Sequence, residues 1–385
     1  MLIYGGAMLS FKKLIIFLAV FLSVNVFAEQ LIDKKQKINK PWVLGYFEGG
    51  PYSDYKKILT ETVTAMMNDG LLEQKRIPAF SGEQTAELWT WLAENLSNSM
   101  ITFSKDFYFS ADWDEKKREK YQVEATELLI NKEVDLLIAM GTWAGQSFAN
   151  NQHNVPTIVM SASDPISSNI VRSIEDSGYD HVHATIDPER YQRQITLFHE
   201  VIGFKRLGIA YEDTVEGRSY AALDIVLQKA EQLNFDVIPC FTLSDISDSN
   251  KANMSVIDCF NELSKKTDAI YVTVQGGVNR ETLPTLVEIV NKNKIPTFSQ
   301  SGVDEVKKGM LLSLSQAGFK YVGDFQADVI KRVISGESPR EISQLFEEPP
   351  RMAVNIKSAE IIGFNPPLIL LGLADEIFHT IEGSR

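Results

Sequence analysis

Two short polar loops hold the residues of this chain best suited to chemistry. Gly141-Thr142-Trp143 follows the apolar run LLIAM, and Ser161-Ala162-Ser163-Asp164-Pro165 follows VPTIVM. Hydroxyls and backbone N–H groups at helix starts can hold a carboxylate without burying a full unpaired charge. Thr142, Ser161 and Ser163 fit that role, and Ser219, downstream of Tyr211, offers a further hydroxyl in the second half of the chain. Thr142 and Ser219 fit an ordinary helix cap equally well, and Asp164 before Pro165 fits a turn as well as a ligand contact. Phe47, Trp143 and Tyr211 close apolar strands, where they either sandwich a flat ligand or pack the loop bases.

Catalysis and metal binding are poorly served by the same residues. None of the serines between 161 and 168 stands in G-x-S-x-G, and neither His199, within a helical stretch, nor His379, in the tail, completes a triad. His181-x-His183 alternates on a strand, but no Cys or carboxylate cluster supplies the third and fourth ligands a metal site needs. No Walker loop and no GxGxxG is present. The expectation is a binding cleft with no catalytic residue, metal or cofactor.

The elements that position these loops alternate strand and helix. A first series reads as strand 42–49, a helix from Ser53 as cap to 67, and a polar insertion 70–99 containing a helix at 83–96. In that helix Trp89 and Trp91 cannot share a face, so one belongs to a core and the other is exposed or a lid. Strand 101–110, helix 114–132, strand 134–140, a short helix 143–149, strand 155–160 and a short helix 167–174 follow. The segment DHVHATIDPERYQRQ then crosses into a second series: helix 188–202, the strand RLGIAY, helix 219–233, strand 235–240, helix 251–265, strand 268–274, helix 280–291 and strand 295–299. The pattern breaks near Ser301-Gly302-Val303, after which GMLLSLSQ and a helix at 321–334 form one more pair. Such alternation implies parallel sheets with crossover helices, whose strand-end loops converge on a crevice.

At the start of the chain, Lys12 and Lys13 precede an apolar run from Leu14 to Val24 that ends in Val26-Phe27-Ala28. This reads as a secretory signal cleaved after Ala28, since the run is shorter than a spanning helix requires. The expected location is the periplasm. The chain has 385 residues and a net charge of −13, and losing the two lysines makes it more acidic. That balance argues against nucleic acid or an anionic membrane as partner, and the length calls for two lobes. Cys240 and Cys259 are the only cysteines. Export permits a disulfide, but Cys259 falls on a helical face with Val256, Phe260 and Leu263, about two turns from the helix start. That places it away from the end of the strand holding Cys240, so the two are expected to be separate core residues.

Taken together, DLLIAMGTWAGQSFA, VPTIVMSASDPISSNIV, RLGIAYEDTVEGRSYAALDIVLQKAEQLNFDV, the long stretch from DAIYVTVQGG to SPREI, and NIKSAEIIGFNPPLILLGLADEI resemble the ABC-transporter periplasmic substrate-binding proteins related to tryptophan- and tyrosine-binding proteins. The resemblance implies an α/β fold of the type I periplasmic-binding class, two Rossmann-like lobes with parallel sheets joined by three hinge strands. It places 41–184 plus 303–338 in an N-terminal lobe and 185–302 plus 339–385 in a C-terminal lobe. It implies a monomer that closes on a small organic ligand, such as an aromatic amino acid or related carboxylate, and delivers it to an inner-membrane ABC permease. A sensory module docking on a membrane kinase or cyclase would use the same cleft. Gln275 stands where the family commonly has an acid that takes a ligand amine, so Glu48 or Glu216 would have to serve, or the ligand lacks that amine. Gln300 is a further amide candidate.

Overall fold

The computed structural model describes residues 40–315, 318–347 and 350–383, so the leader and its cleavage point lie outside the described residues. Two sheets organise the chain. The first has order β2-β1-β3-β4-β5 and is parallel throughout. It is built from β1 (Trp42–Glu48), β2 (Ile101–Ser110), β3 (Leu136–Met140), β4 (Thr157–Met160) and β5 (Val182–Ala184). The second has order β12-β11-β10-β9-β8-β6-β7. Its strands are β6 (Arg206–Tyr211), β7 (Asp236–Phe241), β8 (Ala269–Val272), β9 (Thr297–Ser299), β10 (Leu312–Ser315), β11 (Arg351–Asn355) and β12 (Glu376–Phe378). Here the all-parallel expectation fails at one place, because β11 runs antiparallel to β10.

The helices of the first lobe are α1 (Ser53–Asn68), α2 (Ala86–Asn95), α3 (Glu115–Ile130) and α4 (Thr142–Phe148). The second lobe has α5 (Arg190–Ile202), α6 (Val215–Tyr220), α7 (Leu223–Leu233), α8 (Ser249–Leu263), α9 (Leu283–Lys292), α10 (Val303–Lys307), α12 (Ile356–Ile362) and α13 (Leu368–Leu373). Helix α11 (Phe319–Ile334) returns to the first lobe, burying Val322, Ala327 and Ile330 in one cluster with Leu44 and Leu59. The chain therefore crosses between lobes three times. The first and third crossings pair with each other: Ile186 N–H donates to Gln344 O at 2.8 Å and Phe346 N–H to Ile186 O at 2.8 Å.

Four local expectations change. Residues 303–315 stand with the second lobe, because β10 bonds to β9 and β11, and not with the first as expected, while Ile342 and Phe346, beyond the expected boundary at 338, join the first-lobe core. No helix forms at 167–174: Asp164 Oδ1 accepts from the N–H groups of Ile166 and Ser167, and Asn169 takes a left-handed φ of 58°, so the segment turns instead. The helix expected at 219–233 is two helices, divided at Ala222, whose φ is 50°. Ser53 is the first helical residue and not the cap, its hydroxyl reaching Asp54 at 3.2 Å.

The cysteines are a correction too. Cys240 and Cys259 are bonded, with Cα atoms 5.6 Å apart. The loop 242–248 carries the chain past the end of β7 before α8 turns back, which brings the later turns of that helix level with the strand's last residues. Counting turns from the helix start missed this overshoot.

Among the described residues, no helix is long and apolar enough to cross a membrane. The insertion 70–99 lies against β2. Trp89 is buried beside Tyr46 at 5.2 Å and donates its indole N–H to Ser104 O, and Trp91 packs partly buried on the same cluster, so both serve the core.

Candidate ligand-binding site

Strand order creates the cleft. In the first sheet β1 lies between β2 and β3, and in the second β6 lies between β7 and β8. At such a switch point the connections leave on opposite sides, so the loops at the carboxyl ends part and leave a crevice. The two crevices face each other.

The first wall begins at Tyr55, in the opening turn of α1. Its hydroxyl rests on Gly141, where φ is +87° and an added Cβ would stand 1.8 Å from that oxygen. Gly49 and Gly50 leave room in the same way for Trp113 and Trp143; a Cβ on Gly49 would lie 2.8 Å from one ring and 2.9 Å from the other side chain. The two indoles meet edge-on at 5.4 Å, and Trp113 donates to Pro51 O. The Arg118 guanidinium caps Trp143 at 4.6 Å while donating to Trp143 O and Gln146 Oε1. Thr142 is 2% exposed, and its hydroxyl has no partner among the described residues.

The opposite wall is made by α6 and the loop after β7. Tyr220 donates its hydroxyl to Asp245 Oδ2 at 2.8 Å, Ser244 Oγ meets Asp245 Oδ1 at 3.1 Å, and Glu212 accepts the backbone N–H groups of Ser244 and Asp245. Burial pushes the Asp245 carboxyl up to about 7, and Glu212 and Glu216 reinforce this while the Tyr220 and Ser244 bonds oppose it. The walls sense one another. Asp245 helps raise the Tyr55 phenol, and the charges of Glu216 and Asp245 reach Arg118.

The sequence candidates divide. Trp143, Gly141 and Thr142 line the first wall, Glu216 lies on the second, and Ser161 stands at the end of β4 with a left-handed φ of 60°. Phe47 is buried, edge-on to Phe148 at 4.8 Å, and Tyr211 packs edge-on to Phe241, so these rings belong to the loop bases. Glu48 is fully buried, accepting hydroxyls from Tyr46, Thr85 and Tyr108, and burial raises it to about 7. Both amides are occupied internally. Gln275 joins Thr242, Ala210 O and Thr273, and Gln300 accepts from Val274 N–H while donating to Tyr220 O. The Asp164 carboxylate closes its own turn, the Ser163 carbonyl accepts from Tyr191, and Ser219 meets Asp164 O across the cleft.

Tyr55, Trp113, Arg118, Tyr220 and Asp245 are cleft residues that sequence reasoning passed over. Arg118 sits in the charged run EKKREK, which reads as a solvated face, and Asp245 in the generic polar loop TLSDISDSN. Only Gly49-Gly50 and Gly141 carried a signal, since paired small residues at strand ends mark close approach by something large.

A family model described as ABC transporter substrate binding protein matches residues 108–377. A tyrosine-binding protein of Clostridioides difficile is 25% identical over 215 residues, covering 54% of this chain and 59% of its own length, so the chain spans about three-fifths of that relative. The fold superposes on an ABC domain from Streptococcus pneumonia in complex with L-Trp, with a TM-score of 0.65 at 18% identity, covering 87% of this chain and all of the other. A ligand-free, open substrate-binding protein with adhesive properties from Clostridium difficile gives 0.57 at 19% identity, covering 88% of this chain and all of that one.

Proposed function

The chain belongs to the ABC transporter substrate-binding protein family, and from that premise we propose that it is a periplasmic, single-chain receptor for an aromatic amino acid or a closely related aromatic amine with a carboxylate, which it hands to an ABC importer. The family is one of binding proteins and not of enzymes. The observation that carries the ligand class is the Tyr220–Asp245 pair set opposite Tyr55, Trp113 and Trp143. A desolvated carboxyl that Arg118 does not hold ionised is relieved by an ammonium, and the aromatic wall suits a flat ring. Thr142, with its unpartnered hydroxyl, and Arg118 supply the side for a ligand carboxylate. The absent acid at Gln275 is then replaced from a different loop, by Asp245.

Two further features support the reading. The Cys240–Cys259 bond fits an oxidising compartment, in line with an exported chain. The relatives that bind tyrosine and hold L-Trp point to the same ligand class.

The deciding experiment is native mass spectrometry of the protein purified from periplasm, followed by thermal-shift titration with L-tyrosine, L-tryptophan, tyramine and 3-phenylpropionate. A shift of several degrees with the amino acids, and smaller shifts with each one-sided analogue, is expected. A response only to sugars or to amine-free acids would sink the proposal.

A further inference from the structure

Helix α6 is held by the second lobe and touches the first. Thr214 Oγ1 accepts the Gly217 N–H at 3.0 Å to start it, and Gly217 lies so close to Glu212 that a Cβ would stand 2.2 Å from its carbonyl oxygen. The left-handed Ala222 ends it and turns the chain into α7. Gln300 fixes its last turn by donating to Tyr220 O. Between those anchors Ser219, 3% exposed, donates to Asp164 O at 3.3 Å and receives the Ser167 hydroxyl at 3.3 Å, both in the first lobe.

The receiving turn is rigid, because Asp164 Oδ1 already binds the N–H groups of Ile166 and Ser167. A second hydroxyl reaches the same segment: Tyr191 donates to Ser163 O at 3.0 Å. Tyr191, however, lies in the first turn of α5, directly after a crossing, so a rotation about that crossing moves it little. Ser219 is on a separate helix and separates when the lobes part.

We propose that Ser219 is a positioning residue that clasps one lobe to the other, setting the closed population and the residence time of a captured ligand without itself touching the ligand. Loss of a buried hydroxyl bond shifts a two-state equilibrium roughly fivefold. The closure arm of the test needs no ligand. The retention arm rests on the proposed function and uses L-tyrosine as probe.

The measurement is single-molecule energy transfer between dyes placed at exposed Glu119 and Gln228 through cysteine substitutions, without ligand. Ser219→Ala is expected to lower the closed-to-open ratio about fivefold, Ser167→Ala to lower it as well, and the double variant to lose less than the two effects combined. With L-tyrosine, the dissociation rate should rise by a similar factor while the association rate holds. A wild-type protein with no closed population, an unchanged ratio in Ser219→Ala, or effects that add fully would overturn the clasp. Failure of wild-type protein to bind L-tyrosine overturns the ligand reading alone, because the dye ratios are read without it.

Discussion

Tyr220 and Asp245 form a donor–acceptor pair 2.8 Å long on the second-lobe wall of the cleft, and the pair faces Tyr55 of the first lobe. Burial and the neighbouring carboxylates Glu212 and Glu216 all push Asp245 toward its neutral form, and the Arg118 guanidinium, which feels the Asp245 charge from the other wall, does not overcome them. A carboxyl in this condition is suited to an incoming ammonium, which pairs with it directly.

Ligand affinity should therefore depend on pH with a definite sign. In the empty cleft Asp245 holds its proton until about pH 7, whereas an ammonium-bound carboxyl is ionised. Binding below that point releases a proton, so affinity for L-tyrosine rises from about pH 5 and levels off above about pH 7. Asp245→Asn should weaken binding roughly tenfold or more, as expected for a hydrogen bond to a charged group, and flatten the profile. Titration calorimetry across that range checks both; a slope that persists in Asp245→Asn assigns the proton to another group.

Glu48 gives a stability effect in place of a binding one. Its folded-state value of about 7 lies above the ordinary 4.5, because burial outweighs the hydroxyls gathered around it. Between those values the folded chain keeps a proton that the unfolded chain has lost, so stability falls as pH rises through this window and is level above it. Glu48→Gln should remove that contribution, at most about 3.5 kcal/mol at roughly 1.4 kcal/mol per pH unit. Melting temperatures at pH 5 and pH 8 should differ less in the variant than in the wild type.

The two halves of this molecule were legible to different degrees, for physical reasons. Buried parallel strands such as LLIAM announce themselves by apolar composition, and glycines at their ends announce a close approach; both readings needed only local sequence. Asp245, Tyr220 and Arg118 could not be read that way, because their role comes from a meeting between lobes far apart in the chain. Gln275 and Gln300 show the converse. Their types suggested ligand contacts, but their amides are engaged with Thr242, Val274 and Tyr220, which only the packed fold reveals.

Gly141 should tolerate no side chain. Alanine there must adopt a φ near +87° and stand against the Tyr55 hydroxyl, combining backbone strain of roughly 1–3 kcal/mol with displacement of a cleft ring. Gly141→Ala is expected to lower both melting temperature and L-tyrosine affinity. Adding Tyr55→Phe removes the clashing oxygen and should restore part of the stability but not the affinity. Equal melting points for the single and double variants would show that the clash is relieved elsewhere.

The disulfide should matter to the cleft as well as to the fold. Cys240 and Cys259 are separated by 19 positions, a span for which chain-entropy arguments give a stabilisation of about 3 kcal/mol. The stretch they enclose contains loop 242–248, and with it Asp245, while β7 is an edge strand with Phe241 exposed. Replacing both cysteines with serine should therefore lower the melting temperature, increase association through the freed edge, and weaken L-tyrosine binding several-fold. Reduction by dithiothreitol should reproduce all three effects in the wild type and none in the double serine variant. If the serine variant melts lower yet binds L-tyrosine with unchanged affinity, loop 242–248 holds Asp245 in place through the Glu212 and Tyr220 bonds alone.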